Sequence, residues 1–487
     1  MSPRRWCRAS PRSRSGRGAP LPEHGEPEHP LTETGPFSPP ADGPSGASIG
    51  EALAWLDRHI NLEAIASGRA GRYREPTRER ILALTDAMGS PQAAYPVIHV
   101  TGTNGKGSST RMIAALLHAE GVRAGAYVSP HLERINERLL IADEPITDAE
   151  LAEQLGALAE LERFLGVQPS WFELMTAAAF RWFADEAVEA AVIEVGLGGR
   201  HDATNVANGT VAVVTNVELD HTDILGGTRQ AIAAEKAGIV KTGAVLVLGE
   251  SDPEIAAIFE IEASDVGAAA VWRRGEDFGA GNVRLGVGGR VMDLWTPAGH
   301  YEDVLVPLHG LHQADNAAVA LAAAQAFVGE PLSEQVVREG LGSVRVPGRL
   351  EVVMRRPMVV LDGAHNPAGA AAAGRALAED FEAARSIIVV MGSLKNREPV
   401  QLLGALGTDR VRVVVGCTPP SPRALPASTV VEAARSLGLA ATESGEVGEA
   451  IDQALELASA EDLVLVTGSL YVVGAARAHL RSRVPLS

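Results

Sequence analysis

From about residue 96 onward, short apolar runs alternate with alanine- and leucine-rich stretches whose apolar positions recur at helical spacing. The run PVIHV, starting at Pro96, leads into SSTRMIAALLHAEG. There Met112, Ala115, Leu116 and Ala119 keep one helical face and Gly121 supplies a stop. AGAYV, EAAVIEVG, GTVAVVTNV and AVLVLGE are near-continuous apolar runs, the pattern of strands buried on both faces of a parallel sheet. Their order with the helical stretches predicts a doubly wound α/β domain. From about Gly275 to Val306 the pattern changes to glycine and alternation, as in NVRLGVGGRVMDLW, which predicts antiparallel hairpins closing that domain. GLHQADNAAVALAAAQAFVG predicts a helix. A second α/β series then begins near Val352, with MVVLDGAHN, SIIVVMGSL, VRVVVGC and DLVLVTGSL as its strands. The expected organisation is a tail at 1–47, an N-terminal domain at 48–340 and a C-terminal domain at 341–487, with a cleft at their junction.

The tail changes the picture least. Ten of the 29 prolines and a dense run of arginines fall before residue 45, so this segment has too little apolar surface to offset its ordering entropy. Disorder is expected there. The pair Arg4-Arg5 suggests a twin-arginine export signal, but no apolar region follows it. A net charge of -18 argues against nucleic acid or an anionic membrane as partner. No apolar stretch approaches the roughly 20 residues that span a bilayer. Two cysteines, Cys7 and Cys417, offer neither a disulfide framework nor a thiolate zinc site, which fits a cytoplasmic location.

The candidate chemistry begins at TGTNGKGSST, a strand feeding a glycine turn and then a helix. Unpaired N–H groups at a helix start favour an anion, Gly102, Gly105 and Gly107 let a phosphate approach, and Lys106 can neutralise its oxygens. The usual G-x-x-x-x-G-K-[ST] spacing is not met, because Gly107 separates Lys106 from Ser108. A helix-capping loop with an exposed lysine would look the same. In VIEVGLGGRHDATN, Glu194 sits in an otherwise apolar strand, so it must pair with an arginine or bind a cation. VAVVTNVELDHTDILG follows a strand with Glu218, Asp220, His221 and Asp223, a setting for a divalent metal, although a lone His221 is more often structural. Lys236 falls at the start of an alanine-rich helix, where composition favours a solvated lysine. Asp362, His365 and Asn366 in LDGAHNPAG end a strand of the second series, as either a turn or a ligand edge.

Taken together, HVTGTNGKGS, YVSPHL, NERL, FELMTAAAF, EVGLGGRHDATN, LDHTDILG, AEKAGI, PGRLE and DGAHNPAG resemble, in order, the dihydrofolate synthase/folylpolyglutamate synthase family. This is the folate branch of the Mur ligase superfamily, and the resemblance covers the chain from about residue 50 onward. It implies a two-domain α/β fold: a P-loop ATPase-type parallel-sheet domain followed by a Rossmann-like α/β domain. It implies ATP-dependent addition of L-glutamate to dihydropteroate and to reduced folylglutamates through an acyl phosphate. By resemblance, Asn104, Gly105, Lys106, Gly107 and Ser108 hold the triphosphate, with Asn316 at adenine, Arg349 at the phosphates and Asp362 at the ribose. Ser108, Ser129, Glu194 and His221 hold two magnesium ions, and a monovalent cation is a further expected ligand. Lys236 matches a carbamylated lysine, His365 lies near the triphosphate, and Lys106, Lys236 and His365 form the expected catalytic set. Phe172, Glu173, His201, Asp202 and Ala203 contact the pterin, although Phe172 also suits plain core packing.

GSLKNREP departs from the aspartate-lysine-aspartate cluster of many relatives, so Lys395, Asn396 and Arg397 leave the glutamate contacts unassigned. Two other classes compete: a phosphotransferase or NTPase of another pathway, which the Gly107 spacing opposes, and a binding protein without catalysis, which the intact Lys106, Glu194, His221, Lys236 and Asp362 oppose. Dihydrofolate synthesis with polyglutamylation, or polyglutamylation alone, both stay open. A monomer is expected.

Overall fold

The computed structural model describes residues 48–61 and 78–482; the tail expected at 1–47 lies outside them. The first series forms one eight-stranded sheet from β1 (Val97–Thr101), β2 (Ala124–Tyr127), β3 (Leu139–Ile141), β4 (Glu144–Pro145), β5 (Ala190–Glu194), β6 (Gly209–Val214), β7 (Val245–Leu248) and β8 (Ala270–Arg273). Their spatial order is β4-β3-β2-β5-β1-β6-β7-β8. Every pairing from β2 across to β8 is parallel, while β3 and β4 add antiparallel edges. β1 and β5 are buried along their whole length, as their unbroken apolar runs require. β3, β4 and β8 carry little apolar signal in the sequence, because β3 and β4 are only 3 and 2 residues long and β8 is a half-buried edge strand.

β9 (Gly279–Gly286), β10 (Gly289–Thr296) and β11 (Gly299–Val306) form the expected antiparallel meander. Met292, Leu294, Tyr301 and Val304 from this sheet share a core with Ala317 to Ala324 of the helix His312–Val328. β12 (Glu351–Arg355), β13 (Met358–Leu361), β14 (Ile387–Met391), β15 (Val411–Gly416), β16 (Ala441–Glu443) and β17 (Leu463–Thr467) build the third sheet, in the order β12-β13-β17-β14-β15-β16. Only the β12–β13 pairing is antiparallel. The fold is therefore α/β with a parallel-sheet N-terminal domain and an α/β C-terminal domain.

Two helix starts position the site. The helix Lys106–Ala119 begins at Gly105, whose φ of 82° lies in the left-handed region that a side chain disfavours. Met112, Ile113, Leu116 and Leu117 bury its inner face, each contributing roughly 1.5–3 kcal/mol. The helix Trp171–Asp185 begins at Ser170 with a capping box closed by Glu173. One expectation is corrected: Lys236 lies in the last turn of the helix Arg229–Ala237, not at its start, because Thr228 caps that helix eight positions before it and Gly238 ends it. Among the described residues, no helix is long and apolar enough to cross a membrane.

Candidate active site

β5, β1 and β6 lie side by side, so their carboxyl ends deliver the phosphate loop, Glu194 and the segment from Thr215 to one edge of the first sheet. The loop is clamped through its backbone. Thr103 N–H donates to Asn216 O at 2.9 Å, and Asn104 N–H donates to Asn216 Oδ1 at 3.0 Å. Asn104 O accepts from Thr215 Oγ1 at 2.7 Å and from Asn216 Nδ2 at 3.0 Å. First-turn N–H groups at Lys106, Gly107 and Ser108 have no carbonyl inside their helix to bond, which leaves an anion cradle. The Gly107 that breaks the usual spacing has a structural reason. A Cβ there would stand 3.3 Å from Glu194 Oε2.

Glu194 is buried, and burial pushes its carboxyl above the ordinary value, opposed by Lys106 and by its hydrogen bond from Ser129 N. That bond is 3.0 Å long. The arginine partner that would have explained this carboxylate structurally is not among its contacts in the described residues. Ser108 and Ser129 line the same wall, and His221 faces it from the loop beyond β6 with a φ of 49°. Desolvation holds the His221 imidazole below its usual value, against the pull of Asp220.

Lys236 is buried, and its Nζ donates to Gly102 O at 2.7 Å, beneath the phosphate loop. Burial, then the charge of Lys106, depresses it to about 7, so the solvated reading of this lysine does not hold. The backbone of its helix also packs closely on the segment after β5: a Cβ at Gly199 would sit 2.8 Å from Lys236 O, so only a glycine lets these two segments pack this tightly.

The third sheet faces this edge. Asp362, at the end of β13, accepts N–H bonds from Leu350 and Ala364 at 3.0 Å each, and burial raises its carboxyl against the charge of Arg349. Asn316 donates to Gln313 Oε1 at 3.0 Å and packs so closely on Gly105 that a Cβ there would lie 2.4 Å from Asn316 Oδ1. His365 Nδ1 lies 2.9 Å from Gly363 O; burial and then Arg397 hold the ring down to about 4, so it is neutral at pH 7.

On the opposite wall, the Phe172 ring covers Gly196, where a Cβ would meet it at 2.4 Å. Glu173 accepts from Ser170 N at 2.6 Å and from Arg80 Nε at 3.1 Å. His201 lies 3.0 Å from Glu235, and the buried Asp202 carboxylate accepts from Leu197 N and from Thr204. Ala203 completes that rim. Every residue expected at the site, from Asn104 to His365, lines one cleft of about 1900 Å³ between the first and third sheets.

The Mur ligase middle domain model matches residues 170–324, and the Mur ligase glutamate ligase domain model matches residues 348–470. The Mycobacterium tuberculosis dihydrofolate synthase/folylpolyglutamate synthase is 39% identical over 477 residues, covering 90% of this chain and 97% of the relative. The chain belongs to the dihydrofolate synthase/folylpolyglutamate synthase family. A solved Escherichia coli FolC in complex with DHPP and ADP superposes with a TM-score of 0.78 at 30% identity, covering 90% of this chain and 98% of that one. A solved bifunctional folylpolyglutamate synthase/dihydrofolate synthase with Mn, AMPPNP and L-glutamate bound gives a TM-score of 0.76 at 31% identity, covering 88% of this chain and 98% of that one.

Within this dihydrofolate synthase/folylpolyglutamate synthase fold, the structure adds a clasp that sequence reading missed. Arg397 donates to Asp220 Oδ1 at 2.5 Å, and Asn366 donates to Asp220 Oδ2 at 3.0 Å and to Asn104 Oδ1 at 3.1 Å. Burial alone would raise the Asp220 carboxyl, but His221, Arg397 and His365 together bring it well below the carboxylate range. The departure in GSLKNREP thus places its arginine on the residue beside His221. Asp220 and Asn366 were visible as polar positions, but nothing in the sequence paired them. Thr215 and Asn216 were likewise unsignalled beyond their place at a strand end.

Proposed function

We propose that this chain is an ATP-dependent ligase that joins L-glutamate to dihydropteroate and to reduced folylglutamates. One observation carries the reading: a phosphate loop, a buried carboxylate with no ion-pair partner among the described residues and the rim of Phe172, Glu173 and Asp202 converge in one cleft beside the third sheet. The DHPP, AMPPNP and L-glutamate bound in the two solved relatives support this reading, with AMPPNP standing in for ATP. Asn104 to Ser108 cradle the triphosphate, with Asn316, Arg349 and Asp362 on the adenine, phosphate and ribose sides. Phe172, Glu173, His201, Asp202 and Ala203 form the pterin side. Both activities are proposed together, in keeping with the double name of the Mycobacterium tuberculosis relative.

The residues fit magnesium. Among the described residues, no group of three or more His, Cys, Asp or Glu side chains forms an all-protein metal cage. Magnesium does not need one, since it keeps waters and binds through one or two carboxylates plus substrate phosphates. Glu194, Ser108, Ser129 and His221 would hold two such ions; a bound Mn in the solved relative supports this. When bound, the metal screens the repulsion between the triphosphate and the substrate carboxylate.

The chain's own residues do the remaining work. Lys106 and the first-turn N–H groups neutralise the γ-phosphate as a substrate carboxylate oxygen attacks it and ADP leaves. The amine of L-glutamate then attacks the acyl carbon, phosphate departs and the amine proton is lost to solvent or a neutral base. His365, held down to about 4 and so uncharged at pH 7, lines the cleft and is the candidate for that neutral base. Lys236, depressed to about 7, has the free amine that carbamylation requires, and the resulting carbamate would face the second ion. We also retain the domain division at 340/341, which the change of sheet between β11 and β12 supports, a further monovalent cation, a monomeric state, which the completeness of the cleft within one chain supports, and action in the cytoplasm. The test is phosphate release from ATP with dihydropteroate or tetrahydrofolate, with and without L-glutamate. Release that needs both co-substrates is expected, and release that ignores them overturns the ligase reading.

A further inference from the structure

His99 is left unused by this chemistry. It sits in the middle of β1 with its side chain wholly buried, and Nε2 lies 2.8 Å from Thr204 Oγ1. Its Nδ1 is buried and has no hydrogen-bond partner among the described residues. A leucine would occupy such a position without leaving a bare polar atom, so packing alone does not account for an imidazole here.

The direction of the hydrogen bonds follows from the supply of acceptors. Asp202 Oδ1 accepts the Thr204 hydroxyl at 2.5 Å and Thr204 N at 3.0 Å, while Oδ2 accepts Leu197 N at 2.9 Å. The single hydroxyl proton of Thr204 is therefore spent on Asp202, and its oxygen must accept from His99. That makes His99 the neutral tautomer with its proton on Nε2. Burial, then the charge of Lys241, lowers this ring to about 3. Two residues along, on the same face of β1, Thr101 donates to Gly198 O at 2.8 Å. The strand that ends in the phosphate loop thus grips the 198–204 segment from beneath at two points.

We infer that His99 is a positioning residue for the pterin-bearing substrate: through the Thr204 hydroxyl it fixes the Asp202 carboxylate, and with it the rim formed by residues 197–203. This rests on the folate-side assignment made under Proposed function. The arrangement ties the orientation of the pterin side to the strand that carries the triphosphate, so the two substrates are aligned by one rigid element.

The test measures glutamyl product, with kcat and KM taken separately for dihydropteroate, ATP and L-glutamate, beside a thermal melt of each variant. His99→Leu is expected to raise KM for dihydropteroate about five- to tenfold, the loss of one buried hydrogen bond, with KM for ATP changed less than about twofold. His99→Gln, which keeps a donor N–H, is expected to retain most of the wild-type KM. Thr204→Val removes both the acceptor for His99 and the donor to Asp202, so it should raise the same KM at least as much as His99→Leu, and the double variant should be no worse than Thr204→Val alone. If His99→Leu does not fold, Thr204→Val and His99→Gln carry the comparison. Three substrate KM values rising together, a lower melting temperature with KM unmoved, or additive effects of the two sites would overturn the inference. A wild type that forms no glutamyl product from any pterin carboxylate defeats the ligase reading instead.

Discussion

Replacing Lys236 by methionine should make the protein more stable and abolish ligation. The ammonium is buried and its pKa falls from 10.5 to about 7. That drop corresponds to about 5 kcal/mol of disfavour for the charged form in the folded state. Methionine removes this cost but also leaves Gly102 O without its 2.7 Å donor, which returns about 1–3 kcal/mol. The net expected gain is therefore about 2–4 kcal/mol at or below pH 7. Its pH dependence has a definite sign. Below pH 7 the lysine is charged in both states and the full cost applies. Between about 7 and 10.5 the unfolded chain binds the extra proton, so wild-type stability climbs with pH and the advantage of methionine shrinks. Urea unfolding of both proteins at several pH values, in buffer free of carbon dioxide, nucleotide and magnesium, reads this directly. The same drop raises the free-amine fraction at pH 7 by about a thousandfold over an ordinary lysine. Carbon-13 bicarbonate should therefore give a carbamate resonance in the wild type that Lys236→Met lacks. Equal stability of the two proteins at pH 6, or full ligase activity in Lys236→Met, would refute this reasoning.

Two further outcomes follow from the site geometry. Gly105→Ala must hold a φ of 82° and bring a Cβ to 2.4 Å from Asn316 Oδ1, so KM for ATP should rise more than about tenfold, measured by initial rates. Gly107→Ala, whose Cβ would stand 3.3 Å from Glu194 Oε2, should be milder toward ATP but shift the magnesium dependence. Arg397→Ala leaves the buried Asp220 carboxylate without its guanidinium, and a cost of about 3–5 kcal/mol is expected in denaturant unfolding, together with a fall in kcat.

What could be read in advance depended on whether the signal was local. β1 and β5 are buried on both faces, so the runs around Ile98 and Val192 announced a parallel sheet without any partner being known. The phosphate loop was legible because Gly105 and Gly107 sit next to Lys106, although the reason for Gly107 lies in Glu194, far along the chain. Lys236 was misplaced in its helix, and its burial was invisible, because a lysine among alanines is usually solvated and its burial comes from segments distant in sequence, among them Gly199 packed against its backbone and Gly102 bonded to its Nζ. The clasp on Asp220 joins side chains that are distant in sequence, and Arg397 stood in a segment that departed from the expected pattern. The buried histidine of β1 carries no local signal within the run PVIHV, because its open nitrogen and its Thr204 contact arise only from packing against a segment about a hundred residues on.

The central claim is that ATP phosphorylates a pterin-bearing carboxylate before L-glutamate attacks it. Dihydropteroate labelled with oxygen-18 in its carboxylate, incubated with ATP, magnesium and L-glutamate, tests this by mass spectrometry of the released phosphate. Transfer of one labelled oxygen into phosphate for each amide formed is the expected result; amide formation with unlabelled phosphate, or phosphate release without amide, would contradict it.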